Sequence, residues 1–224
     1  GTITSQVSAN VDAGFSIVSY TGEGAARTVG HGLNFAPEMV IIKNLDDARN
    51  WMVWQSNLSA SSYIYLNSNS AQGTDTRTSG GQPRPFGPFT SKTFGINIDN
   101  ETGHTNDYIA YCFRSISGYS RVGSYIGNGS TTGPVVYIGF EPSWLLRKNI
   151  TSATDAHWSI LDNKRNVTTP MNPRFERLLA NLDNAENTTD VNHKCDFNST
   201  SFQPLSNHNI TNASGQTYIY LAIA

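Results

Sequence analysis

The order of segments along this chain recurs at an offset of about 105 residues. Gly14-Phe15-Ser16, Tyr20-Thr21-Gly22-Glu23-Gly24 and Pro37-Glu38-Met39-Val40-Ile41-Ile42-Lys43 return as Gly118-Tyr119-Ser120, Tyr125-Ile126-Gly127-Asn128-Gly129 and Pro142-Ser143-Trp144-Leu145-Leu146-Arg147-Lys148. Trp51 corresponds to Trp158, and Leu66-Asn67 through Ala71 to Ala180-Asn181 through Ala185. The run from Phe89 to Phe94 corresponds to Phe197 to Phe202, and Tyr108-Ile109-Ala110-Tyr111 to Tyr218-Ile219-Tyr220-Leu221. Such a period is well above the roughly 20 to 50 residues of solenoid repeats and close to one small domain. The expectation is therefore two tandem domains related by internal duplication. A lead-in of residues 1–11 precedes a first repeat at 12–116 and a second at 117–224.

Helical periodicity is nearly absent. Short runs of β-branched and aromatic residues alternate with clusters of Gly, Asn, Asp, Ser and Thr, which predicts an all-β protein. Strands are expected near 14–20, 38–44, 50–55, 62–67, 93–98 and 107–114, and again near 119–126, 134–140, 143–149, 157–162, 177–182, 200–205 and 217–223. Many short strands with turns between them suit two β-sandwiches; jelly-roll-like and immunoglobulin-like strand orders are not separated by this pattern. Gly22, Gly24, Gly127 and Gly129 read as turn glycines, and Pro37 and Pro142 as residues that start strands. The stretch Ser79 to Pro88, rich in Gly and Pro and without a counterpart, reads as a loop rather than a ladder.

With 14% charged residues and a net charge of −2, the chain has no basic stripe to hold a phosphate backbone, so nucleic acid is not an expected partner. Its longest apolar runs, such as Met39–Ile42 and Val135–Phe140, are far below the roughly 18 residues of a membrane-spanning helix, and no membrane insertion is expected. Cys112 and Cys195 have no counterparts in the other copy and are expected to be free thiols.

No Gly-x-Ser-x-Gly elbow, phosphate-binding loop or dinucleotide fingerprint occurs, so no catalytic or cofactor-binding residues are assigned. None of the five histidines is spaced as a zinc pair, and His193-Lys194-Cys195-Asp196 reads as a solvated loop; no metal is expected. Asp99-Asn100-Glu101 and Asp183-Asn184 lack the spacing of a calcium loop and fit turn chemistry. Aromatic residues that recur, Tyr20, Tyr125, Tyr108, Tyr218, Trp51 and Trp158, are expected to be scaffold. Those without a counterpart are where ligand contact is sought: Trp54, Phe86, Phe89 and Trp144, with Arg84 in the inserted stretch.

The segments at 14–24, 30–43 and 108–113, with Gly118-Tyr119-Ser120, residues 133–144 and Asn212 to Tyr220 in the second copy, resemble a duplicated domain of unknown function. That domain is found in tailed-bacteriophage virion proteins of tail-fibre-like type, often from marine phages. The resemblance spans nearly the whole chain and implies a non-enzymatic virion structural protein. Its expected role is a tail-fibre or surface module that attaches to a host receptor, glycan or protein. A capsid decoration or tail-assembly protein is the alternative, and a polysaccharide depolymerase a weaker one. Expected partners are other virion subunits and other copies of the chain, with a homotrimer as the expected oligomer. The expected location is the virion surface, after synthesis in the host bacterial cytoplasm.

Overall fold

The computed structural model describes residues 1–59, 61–79, 82–83, 85–165 and 172–224, with backbone alone at 79, 82 and 83. Among them are strands, turns and one 3-10 turn at Val191–His193, and no helix long and apolar enough to cross a membrane. The chain divides into two compact units. Unit 1 comprises Gly1–Leu66 and Gln72–Ile116; unit 2 comprises Asn67–Ala71 and Ser117–Ala224.

Unit 1 contains β1 (Ser5–Asn10), β2 (Phe15–Thr21), β3 (Arg27–Gly30), β4 (Met39–Asn44), β5 (Met52–Gln55) and β6 (Ser62–Tyr65). It continues with β7 (Gly73–Thr74), β8 (Thr78–Ser79), β9 (Gln82–Pro83), β10 (Phe86–Phe89), β11 (Thr93–Ile96) and β12 (Asp107–Phe113). The larger sheet has the order β1-β2-β12-β4-β5-β6-β7, the smaller β10-β11-β3, and β8 pairs with β9 alone; every pairing is antiparallel. Residues of the lead-in thus form the edge strand β1.

The burial patterns follow from position in the sheet. β2 and β12 alternate, turning Ser16, Val18 and Tyr20, and Tyr108, Ala110 and Cys112, into the core. β4, in the middle of the order, buries Met39, Val40, Ile41 and Ile42 in succession, as an interior strand covered on both faces must. Each such side chain contributes about 1.5–3 kcal/mol on burial. Tyr20 meets Phe94 of β11 edge-on at 6.0 Å, so the two sheets share one core.

The stretch Ser79 to Pro88 corrects the loop expectation, because it holds β9 and the first three residues of β10. Phe86 pairs with Ile96, Gly87 with Gly95 and Phe89 with Phe94, and the register shifts between Gly87 and Phe89. Pro88 occupies that irregularity, where a missing N–H costs no ladder bond. Fully buried Phe86 supplies the apolar drive that composition alone concealed.

Unit 2 contains β13 (Ser120–Ile126), β14 (Val136–Tyr137), β15 (Trp144–Asn149), β16 (Ser159–Asp162), β17 (Leu178–Leu179), β18 (Cys195–Asn198), β19 (Ser201–Pro204) and β20 (Thr217–Ile223). The larger sheet runs β13-β20-β15-β16-β17 and the smaller β14-β19-β18. Tyr125, Leu145, Leu161, Tyr218 and Tyr220 of the larger sheet and Val136, Cys195, Phe197 and Phe202 of the smaller form one buried cluster.

The segment His193–Asp196 also departs from expectation. His193 and Cys195 are buried, and Cys195 opens β18 opposite Pro204. Polar neighbours on alternate positions hide a strand whose inward residues are Cys195 and Phe197. Both cysteines are free thiols, and burial pushes Cys112 up to about 12 and Cys195 up to about 11.

Candidate functional site

The residues singled out from sequence are scattered in burial. Trp54 is buried, stacks on Phe89 at 3.5 Å and 13°, and donates from Nε1 to the Ser59 carbonyl at 3.2 Å. Phe86 is fully enclosed and lies 6.1 Å from Phe89. Phe89 meets both other rings, and Trp54 and Phe86 are buried with no free face for a ligand, which corrects their expected role in ligand contact. Phe89 and Trp144 are half-buried, and Arg84 lies outside the described residues. β5 and β10 close this aromatic cluster together because a Trp face in water is costlier than one against Phe.

An outward aromatic row does exist, on the smaller sheet of unit 2. Tyr137 is 75% exposed, whereas Val136 and Ile138 on either side are buried. Tyr137 pairs with Ser201, and Ser201 with Asn198, so the three stand in one row; Gln203 pairs with Asp196 two positions along. Directly paired residues of antiparallel strands share a face. The inward partners of that register are Val136, Phe202 and Phe197, all in the core. The opposite face therefore presents a phenol ring beside two carboxamides and a carboxylate, while Ser201 itself is buried and its hydroxyl accepts from Asn198 Nδ2 at 3.5 Å. Gln203 is anchored through Nε2 to the Gly133 carbonyl at 2.8 Å, and burial raises the Asp196 carboxyl. An aromatic face flanked by fixed polar groups suits a flat polyhydroxylated ligand such as a sugar ring. Sequence does not mark Tyr137 as outward, because Val135 to Ile138 is a continuous apolar run; the register with Ser201 sets its face.

Beneath these surfaces each unit carries a buried polar frame. In unit 1, Tyr20 and Tyr108 stack at 5.3 Å; Tyr20 Oη donates to the Thr102 carbonyl at 2.7 Å and Tyr108 Oη to the Asn100 carbonyl at 3.0 Å. In unit 2, Tyr125 and Tyr218 stack at 4.8 Å; Tyr125 Oη donates to the Thr211 carbonyl at 2.6 Å and Tyr218 Oη to the Asn209 carbonyl at 2.8 Å. Asn44 Nδ2 donates to the Asn100 carbonyl at 2.9 Å, and Asn149 Nδ2 to the Asn209 carbonyl at 2.8 Å. These bonds bind the connection before the closing strand to the end of the neighbouring strand. Burial raises all four phenols, so they stay protonated donors.

Lysines stand beside both asparagines. Lys43 Nζ donates to the Asn44 and Asp47 carbonyls at 2.7 and 3.4 Å. Lys148 is fully buried in unit 2, and its Nζ meets four carbonyl oxygens: Asn69 at 3.1 Å, Ser70 at 2.9 Å, Asn149 at 2.9 Å and Ala156 at 2.5 Å. Burial pushes its amine down to about 7, against the preference of those carbonyls for the ammonium form.

Titratable residues elsewhere form pairs. Burial, then the hydrogen bond with Asp99, raises Glu101 to about 7. The Asp99 carbonyl accepts from the Thr102, Gly103 and His104 amides, the turn chemistry expected of this stretch. Asp155 brings together His157 and His208 at 3.6 and 3.3 Å, a grouping that sequence spacing does not reveal. Burial drives His193 down to about 2, helped by Arg177 and Arg147. Among the described residues, no group of three His, Cys, Asp or Glu side chains is arranged to hold a metal ion.

A family model described as "Domain of unknown function (DUF7483)" matches residues 1–224. No curated protein and no solved structure matches the chain.

Proposed function

The chain belongs to the DUF7483 family, and from that premise we propose that it is a non-enzymatic structural module of a tailed-bacteriophage virion that attaches to host surface glycan. The resemblance of its repeated segments to virion proteins carries the first half of this reading. Outward Tyr137, with Asn198, Asp196 and Gln203 on the same face, carries the second. A ring on a rigid strand loses little conformational freedom on binding, and the adjacent amides supply directional contacts to hydroxyls. Tyr137 pairs where unit 1 has Gly30, so the outward aromatic belongs to one unit only.

In the same reading the units are duplicated copies of a jelly-roll-like sandwich. The order β2-β12-β4-β5-β6 corresponds to β13-β20-β15-β16-β17, and β10-β11-β3 to β18-β19-β14. Among the strands that correspond, leaving out β1, first pairs with last (β2 with β12, β13 with β20) and second with next to last (β3 with β11, β14 with β19), a nesting typical of rolled-up hairpins rather than of immunoglobulin sheets.

Binding of the whole chain to a glycan array and to host cells tests the attachment. Wild-type protein is expected to bind and Tyr137→Ala to lose that binding at unchanged melting temperature. Equal binding by both proteins removes the row from the function, and absence of the chain from purified virions removes the virion reading.

A further inference from the structure

Three side chains that unit 2 buries have open counterparts in unit 1. Lys148, Ile150 and Trp158 are 0%, 5% and 0% exposed. The aligned residues are Lys43, Leu45 and Trp51. Leu45 is 57% exposed, and Lys43 and Trp51 are half-buried. Local backbone does not account for the difference. Leu45 N–H donates to the Asp107 carbonyl and Ile150 N–H to the Thr217 carbonyl, the residues that open the two closing strands. Asn44 Oδ1 accepts from the amides two and three residues on, and so does Asn149 Oδ1.

Unit 2 has one addition at this place, the five residues Asn67–Ala71. Their Asn69 and Ser70 carbonyls complete the ring of oxygens around Lys148, and Asn69 Nδ2 donates to the Ala153 carbonyl at 3.1 Å. Lys43 has two carbonyl partners where Lys148 has four. The residues aligned with Asn67–Ala71 are Asn181–Ala185. Asn181 is held, its Oδ1 accepting from Trp158 N–H at 2.9 Å, but 182–185 are exposed and Leu182 is 41% open. The molecule thus displays an uncovered seat and an unused copy of the segment that covers such a seat.

We propose that Asn181–Ala185 of one molecule docks on the Lys43–Leu45 surface of a second copy of this chain, as Asn67–Ala71 seats on Lys148 and Ala153 in unit 2. Leu182 and Leu45 supply the apolar contact. The carbonyls aligned with those of Asn69 and Ser70 belong to Asp183 and Asn184, and they reach the Lys43 ammonium. Asp183 brings a carboxylate to a surface that holds Lys43 and Arg49 as well as Asp46 and Asp47. Leu45 also borders an open cleft of about 510 Å³ with Ile3, Gln6, Tyr20 and Asp107, so the seat is not closed by its own unit. The contact is heterologous: each molecule gives one segment and offers one seat, which propagates into a ring or a filament. The inference rests on the reading of the units as copies, and not on glycan attachment.

Sedimentation velocity of the full chain over a concentration series tests it. Wild-type protein is expected to form species larger than a dimer, while Leu45→Asp and Leu182→Asp each remain monomeric. An equimolar mixture of the two variants is expected to form dimers and nothing larger, because each supplies the half that the other lacks. Misfolded chains cannot complement in this way. A monomeric wild-type chain at every concentration, variants that assemble like wild type, or a mixture that stays monomeric overturns the proposal. Hydrogen exchange on the same samples reads the premise separately. Protection of β4 and β12 and equally of β15 and β20 in a monomeric chain sinks the docking alone; loss of either pair sinks the reading of copies.

Discussion

Lys148 makes the stability of the chain depend on pH in a way that can be worked out. The amine lies fully buried among carbonyls with no carboxylate among its hydrogen-bond partners, and burial lowers it from 10.5 to about 7. In the unfolded chain the amine keeps its ordinary value, so between those two values the unfolded state binds more protons than the folded one. Stability therefore rises with pH through that window and levels off above it. From about pH 7 to about pH 9 the linkage relation gives about 2 kcal/mol of added stability, since a difference of one bound proton is worth about 1.4 kcal/mol for each step of one in pH and the difference is only half developed at the lower end. Lys148→Met removes the titration while keeping most of the aliphatic volume. Urea unfolding followed by tryptophan fluorescence at several pH values measures both proteins. The stability of wild type minus that of the variant is expected to grow by about 2 kcal/mol across the interval. A flat difference would show that the four carbonyls hold the ammonium charged in the folded state and that desolvation is the weaker effect.

Two further expectations concern the buried frame. Tyr218 Oη donates to Asn209 and accepts from the Ala213 amide at 2.8 Å, whereas Tyr108 Oη donates to Asn100, whose carbonyl keeps Asn44 as a second donor. Tyr218→Phe, which orphans an amide, is therefore expected to cost about 2 kcal/mol and Tyr108→Phe about 1 kcal/mol, measured by denaturant unfolding; equal costs would discount the orphaned amide. Gly24 has φ of +66° with space around it, so Gly24→Ala is expected to cost about 1–2 kcal/mol of backbone strain. A Cβ at Gly22 collides with the His104 carbonyl, so Gly22→Ala is expected to cost more than Gly24→Ala, and thermal melts that reverse this order would refute the close-approach reading.

The expected strands near 14–20, 38–44 and 107–114 coincide closely with β2, β4 and β12, because long alternating or continuous apolar runs are local patterns. The recurring tyrosines Tyr20, Tyr108, Tyr125 and Tyr218 are all buried, as expected of scaffold. β1, β3 and β18 were harder to see. β1 is exposed on both faces along nearly its whole length, and its only apolar residues, Val7 and Ala9, mark no buried face. β18 is four residues long and hides Cys195 and Phe197 among polar neighbours. Of the four turn glycines, Gly24 and Gly129 have positive φ, whereas Gly22 and Gly127 lie against backbone carbonyls.

For function the division is sharper. An all-β chain with a repeated order of segments is legible from the residues alone, because hydrophobic periodicity and internal likeness are properties of neighbours along the chain. The unmatched aromatics are legible too, but not their fate. Whether Trp54 meets water or Phe89 depends on partners 35 residues apart, and whether Tyr137 faces outward depends on the register with Ser201. Folding in three dimensions is what encloses Lys148 with Asn69 and Ser70 while leaving Lys43 two carbonyl partners, since desolvation is set by whatever covers a group and not by the residues beside it in the chain.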